Sequence, residues 1–75
     1  MEIYKNLGGD SGVTRYEVGA TEIKVGFRDG SLYLYNHLRP GLATVEKMKA
    51  LAVAGSGLNS FISRSVRKNF AEKLA

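Results

Sequence analysis

Three long basic side chains, Arg64, Arg67 and Lys68, recur at spacings of three and four near the end of the chain. On a helix that spacing lines them along two adjacent turns of one face, where they would neutralise successive phosphates of a polyanion with little sequence preference. Tyr33 and Tyr35 alternate within a β-rich stretch. On the solvent side of a sheet, beside a cation such as Lys24, two phenol rings would stack unpaired bases at about 1–3 kcal/mol per base. Gly55-Ser56-Gly57 precedes a second helical pattern and offers backbone N–H groups to a phosphate. Its spacing is that of neither a P-loop nor a dinucleotide fingerprint, and a turn between helices is its plainer use. A solvated face is the plain reading of the cations, as core packing is of the tyrosines.

Catalysis has little to work with. There is one histidine, His37, in a loop between Asn36 and Leu38, and there is no cysteine. A lone loop histidine is more often solvated or hydrogen-bonded than a general base, and it anchors no metal site by itself. None of the serines stands in a nucleophile elbow, and caps and turns account for them. The chain is therefore expected to be no enzyme, with no catalytic residue, no metal and no cofactor.

The elements that would position these residues must come from 75 residues, enough for one small core. An apolar fraction of 44% and a charged fraction of 24% are those of a globular chain. The net charge of +4 is unevenly spread: residues 1–36 hold four bases and five acids, whereas residues 37–75 hold seven bases and two acids. The second half thus carries the whole excess, which suits a phosphate-rich partner. No apolar run reaches the roughly 20 residues that span a bilayer, and Met1-Glu2-Ile3-Tyr4-Lys5 lacks the layout of a secretory signal, so a soluble cytoplasmic protein is expected.

Residues 1–12, with the turn cluster Gly8-Gly9-Asp10-Ser11-Gly12, read as a flexible arm, poorly ordered unless it pairs with a sheet. Residues 13–75 read as one domain. Val13 to Val18, Ile23 to Phe27 and Leu32 to Asn36 show β-branched and aromatic residues at alternate positions, which predicts three antiparallel strands in a meander. Pro40 suits a first helical turn, and Leu42, Val45, Met48 and Ala52 carry a helix to about Ala54. Leu58, Phe61, Ile62, Val66, Phe70 and Leu74 predict a second helix with Arg64, Arg67 and Lys68 opposite its apolar face. The fold class is α+β: a three-stranded antiparallel meander packed against two C-terminal helices, in the order β-β-β-α-α.

The hairpin register decides which face the tyrosines take. A two-residue Asp29-Gly30 loop would set Phe27 opposite Leu32 and Val25 opposite Leu34, leaving both tyrosines on the far side near Gly26 and Lys24. A three-residue loop with Gly30 left-handed would set Val25 opposite Tyr33 and Ile23 opposite Tyr35, which makes the tyrosines core. Both registers are compatible with the sequence.

Phe27-x-x-Gly30-x-x-Tyr33-x-Tyr35, a proline at the start of a helix, and then Gly55-x-x-Leu58-Asn59-x-x-Ile62 together resemble the KTSC domain family, named after a C-terminal extension of some lysyl-tRNA synthetases. The likeness runs from about Val13 to Val66. The chain departs from the family pattern in placing Pro40 five residues after Tyr35 and in having Gly57-Leu58 where aromatics are usual before the Asn. The resemblance implies a small α+β domain, with RNA binding suggested for the family and no catalytic residues. The leading expectation is thus a non-catalytic module for RNA or tRNA. The alternative is a protein-interaction module in which a sheet edge or an uncovered sheet face docks a partner or a second copy.

Overall fold

The computed structural model describes residues 1–9 and 11–75; Asp10, in the expected turn cluster, lies outside them. The chain is α+β. Among the described residues an antiparallel sheet of five strands runs in the order β1-β2-β3-β4-β5, from β1 (Glu2–Ile3) through β2 (Val13–Val18), β3 (Glu22–Phe27) and β4 (Leu32–Asn36) to β5 (Glu72–Lys73). Two helices lie between β4 and β5: α1 (Leu42–Ala54), and α2 (Leu58–Phe61), which continues as a π-helical turn over Ile62–Val66.

The three central strands stand where hydrophobic alternation set them, and the hairpin has the three-residue loop. Phe27 N–H donates to Ser31 C=O at 2.9 Å, Val25 pairs with Tyr33 and Ile23 with Tyr35, with Gly30 at φ +92°. A side chain there would be strained, which is why glycine closes the loop. Asp29 caps the turn by accepting from Ser31 Oγ at 2.6 Å and Ser31 N–H at 2.9 Å, and these bonds hold its carboxyl below the usual carboxylate range. A bulge between Val13 and Arg15 bends β2 against β3.

Both ends of the chain add a strand, which corrects the expected three to five. Residues 2–3 pair with β2, so the condition set for ordering the N-terminal segment is met, and Tyr4 turns into the core. The second helix stops at Val66, eight residues short of Leu74, and the segment after it runs back along β4. The reason lies in backbone satisfaction. Ala71 N–H reaches Leu34 C=O at 2.8 Å and Leu74 N–H reaches Leu32 C=O at 2.7 Å. A helix carried on to Leu74 would project roughly 12 Å further and leave the β4 edge unpaired. Leu74 is accordingly exposed, while Phe70 packs on Tyr33 with ring centroids 4.7 Å apart.

The core lies between one sheet face and the helices. Ile23, Val25 and Tyr35 come from the sheet, Val45, Met48 and Ala52 from α1, and Leu58, Ile62 and Val66 from the second helix. The spacing of α1 is thus honoured, save that Leu42 is exposed and Pro40 precedes the helix, which begins after Gly41. Gly55 ends α1 at φ +77°; a Cβ there would lie 2.7 Å from Lys5 Cβ, so the N-terminal segment packs against a position only glycine fills. Among the described residues the opposite sheet face bears no helix. On it Ile3 pairs with Arg15, Arg15 with Gly26, and Gly26 with Leu32. No helix among the described residues is long and apolar enough to cross a membrane.

Candidate nucleic-acid interface

Where the second helix ends, the backbone makes a sharp corner. Arg67 adopts φ +53° and ψ −122°, and Asn69 N–H donates to Val66 C=O at 3.0 Å. Those dihedrals are those of the first central residue of a type II′ turn, a place that glycine fills without strain and that costs other residues about 1–3 kcal/mol. Arg67 and Lys68 occupy the two central positions and are both exposed, as is Arg64 one turn earlier on the π-helical segment. The three cations thus stand close in the chain around a turn, rather than along one continuous helix face as their spacing predicts.

A fourth cation joins them from another element. The loop after β4 is folded by Asn36, whose Oδ1 accepts from Leu38 N–H at 3.0 Å and from Arg39 N–H at 2.9 Å. Asn side chains favour such local turns. The loop carries Arg39 across to the corner, where its Nε donates to Asn69 Oδ1 at 3.3 Å. Among the described residues, ion pairs within 4.0 Å involve Lys24, His37 and Lys49 and none of Arg39, Arg64, Arg67 or Lys68. Arg39 was missed by sequence reasoning; the nearest signal was the Asn36-x-x-Arg39 spacing.

The aromatic part of the expected site is not assembled. Tyr35 is 2% exposed, its ring sealed on the core face, so it offers no plane to a base. Burial, with the Tyr33 phenol adding to it, pushes the Tyr35 hydroxyl up to about 12. Tyr33 is half-buried and already surrounded, with Phe70 at 4.7 Å, Phe27 edge-on at 5.7 Å, and the Lys73 ammonium 5.9 Å from its ring centroid. Lys24 stands on the other sheet face, pairs across to Leu34, and its Nζ lies 3.5 Å from Glu17 Oε2. Lys24 therefore stands on the sheet face away from the tyrosines, whose ring centroids lie 6.5 Å apart and which are turned inward by the three-residue hairpin loop.

The Gly55-Ser56-Gly57 turn spends its first N–H groups on the helix before it. Gly55 N–H reaches Leu51 C=O at 3.0 Å and Ser56 N–H the same carbonyl at 3.4 Å, so these close α1 rather than face a phosphate. Ser56 and Gly57 border a cleft described below.

His37 is tied to Glu46, with Nε2 at 3.2 Å from Oε2, and Lys49 Nζ approaches the same oxygen at 2.8 Å. Lys49, and His37 after it, hold the Glu46 carboxyl below its ordinary range. The cluster pins α1 to the sheet end, where Lys49 also donates to Ala20 C=O at 3.1 Å. Among the described residues no group of three His, Cys, Asp or Glu side chains could hold a metal ion. No protein-family model, no curated protein and no solved structure matches the chain.

Proposed function

We propose that this chain is a small non-catalytic module that binds RNA, tRNA included, through phosphate contacts made by Arg39, Arg64, Arg67 and Lys68. The observation that carries the reading is that Arg39 joins the turn bearing Arg67 and Lys68, with no acid within 4.0 Å of any of the four cations among the described residues. Unpaired cations at one corner attract a polyanion, and their contacts position a backbone without reading its bases. An arginine kept where glycine would relieve backbone strain is further support, since such strain gathers at functional sites. Kinship with the KTSC domain family is part of the same proposal. Tyr33-x-Tyr35 on β4 after the Gly30 turn and Asn59 on α2 support it, and a cytoplasmic setting, in which RNA is met, belongs to the same proposal. Arg64→Glu combined with Arg67→Glu should abolish retardation of labelled tRNA at low salt; unchanged retardation removes both residues from the interface.

A second reading follows from the uncovered sheet face. Ile3 at one edge is 82% exposed and Leu74 at the other 38%, with Leu32 and Leu34 half-buried between them. A second copy packed face to face would cover this row. Light scattering that shows a concentration-dependent dimer, lost on Leu34→Glu, would favour it.

A further inference from the structure

A cleft of about 310 Å³ opens between the loop after β1 and the turn that joins the helices. Asn6 and Ser11 line one side, and Ser56, Asn59 and Ser60 line the other. Its walls are built rather than loose. Asn6 Oδ1 accepts from Ser11 N–H at 3.1 Å, and Ser11 Oγ accepts from Val13 N–H at 3.0 Å. Leu7 N–H donates to Gly55 C=O at 2.8 Å and ties the loop to the turn. Beneath them the buried Tyr4 hydroxyl accepts from Leu58 N–H at 3.2 Å.

Every side chain lining the cleft, among the described residues, is neutral. Such walls give an ion no counter-charge, which disfavours a phosphate inside. Amides and hydroxyls do match the edges of a nucleobase and the hydroxyls of a ribose. The volume is at the small end of the roughly 300–1,000 Å³ typical of ligand sites, which suits a single compact polar group. Ser60 lies four residues before Arg64 on the same continuous helical segment, and both are exposed. A ligand leaving the cleft past Ser60 would have Arg64 next along the helical segment.

We infer that this cleft is a subsite for one unpaired ribonucleotide, with its base and ribose against Asn6, Asn59 and Ser60 and its phosphate directed outward to Arg64. The inference rests on the RNA reading above and adds a preference for RNA over DNA, because the 2′-hydroxyl is a donor and acceptor that deoxyribose lacks. The test is a titration of ¹⁵N-labelled protein with a uridine hexanucleotide and with its deoxy counterpart. RNA should shift the amide resonances of Asn6, Ser11, Asn59 and Ser60 and bind about two- to tenfold more tightly than DNA, the range expected of one hydrogen bond. Asn59→Ala, or the exposed Ser60→Ala should the former disturb folding, should bring RNA affinity down to the DNA value. Equal binding of the two strands, a preference that survives both substitutions, or shifts confined to residues 64–68 would overturn the cleft while leaving the basic corner standing. If neither strand binds, both the cleft and the basic corner are overturned.

Discussion

Replacing Arg67 by glycine should make the protein more stable and a poorer ligand for RNA at the same time. The native φ of +53° with ψ of −122° costs a non-glycine residue about 1–3 kcal/mol. Glycine removes that cost, and its greater freedom in the unfolded chain takes back about 0.5–1 kcal/mol. The net gain is about 1 kcal/mol, which for a domain of this size raises the melting temperature by roughly 4–8 °C. The same change deletes one phosphate contact, which for a single-stranded ligand lowers the slope of log K against log salt by about 0.7. Arg67→Ala separates the two effects, since alanine loses the charge and keeps the strain. Thermal unfolding followed by circular dichroism, with filter binding of a single-stranded RNA, measures both. A glycine variant no more stable than the alanine variant would refute the strain argument, and one that binds RNA as the native protein does would refute the role given to the side chain.

Two further outcomes follow from the core. Tyr4→Phe removes the oxygen that accepts Leu58 N–H at 3.2 Å in a buried place, so it should destabilise by about 1–3 kcal/mol, read as a lower urea midpoint with an unchanged denaturant slope. Tyr35 stays protonated in the fold until about pH 12, whereas in the unfolded chain a tyrosine ionises near 10. The unfolded state alone releases the proton between those values, so this contribution to stability is full below pH 10 and declines by roughly 2–3 kcal/mol as the pH rises to 12. Tyr35→Phe should lack that decline; a variant with the native pH dependence would show that the phenol is not the cause.

The middle of this fold was legible because burial on one face imposes alternation on β2, β3 and β4 and three-to-four spacing on α1. The ends were not. Phe70 and Leu74 continue the apolar period set by Leu58, Ile62 and Val66, so periodicity alone extends a helix through them. What ends it is the unpaired edge of β4, a demand made by tertiary structure and invisible in the local pattern. Two-residue strands such as Glu2–Ile3 and Glu72–Lys73 are likewise too short to show a period. The tyrosine pair was undecided between two registers because Asp29-Gly30 suits both loop lengths and Ile23, Val25 and Phe27 face inward in either; the Phe27–Ser31 hydrogen bond settles it in the fold. For the candidate site, Arg64, Arg67 and Lys68 could be picked out by charge and spacing, whereas Arg39 lies 25 residues before Arg64 and is joined to the corner through Asn69.

The most direct test of the basic corner is the salt dependence of RNA affinity in the native protein and in Arg39→Ala. Four phosphate contacts to a single strand give a slope of log K against log salt of about −3, and removal of Arg39 should bring it to about −2. A slope near zero, or one that Arg39→Ala leaves unchanged, would contradict the account.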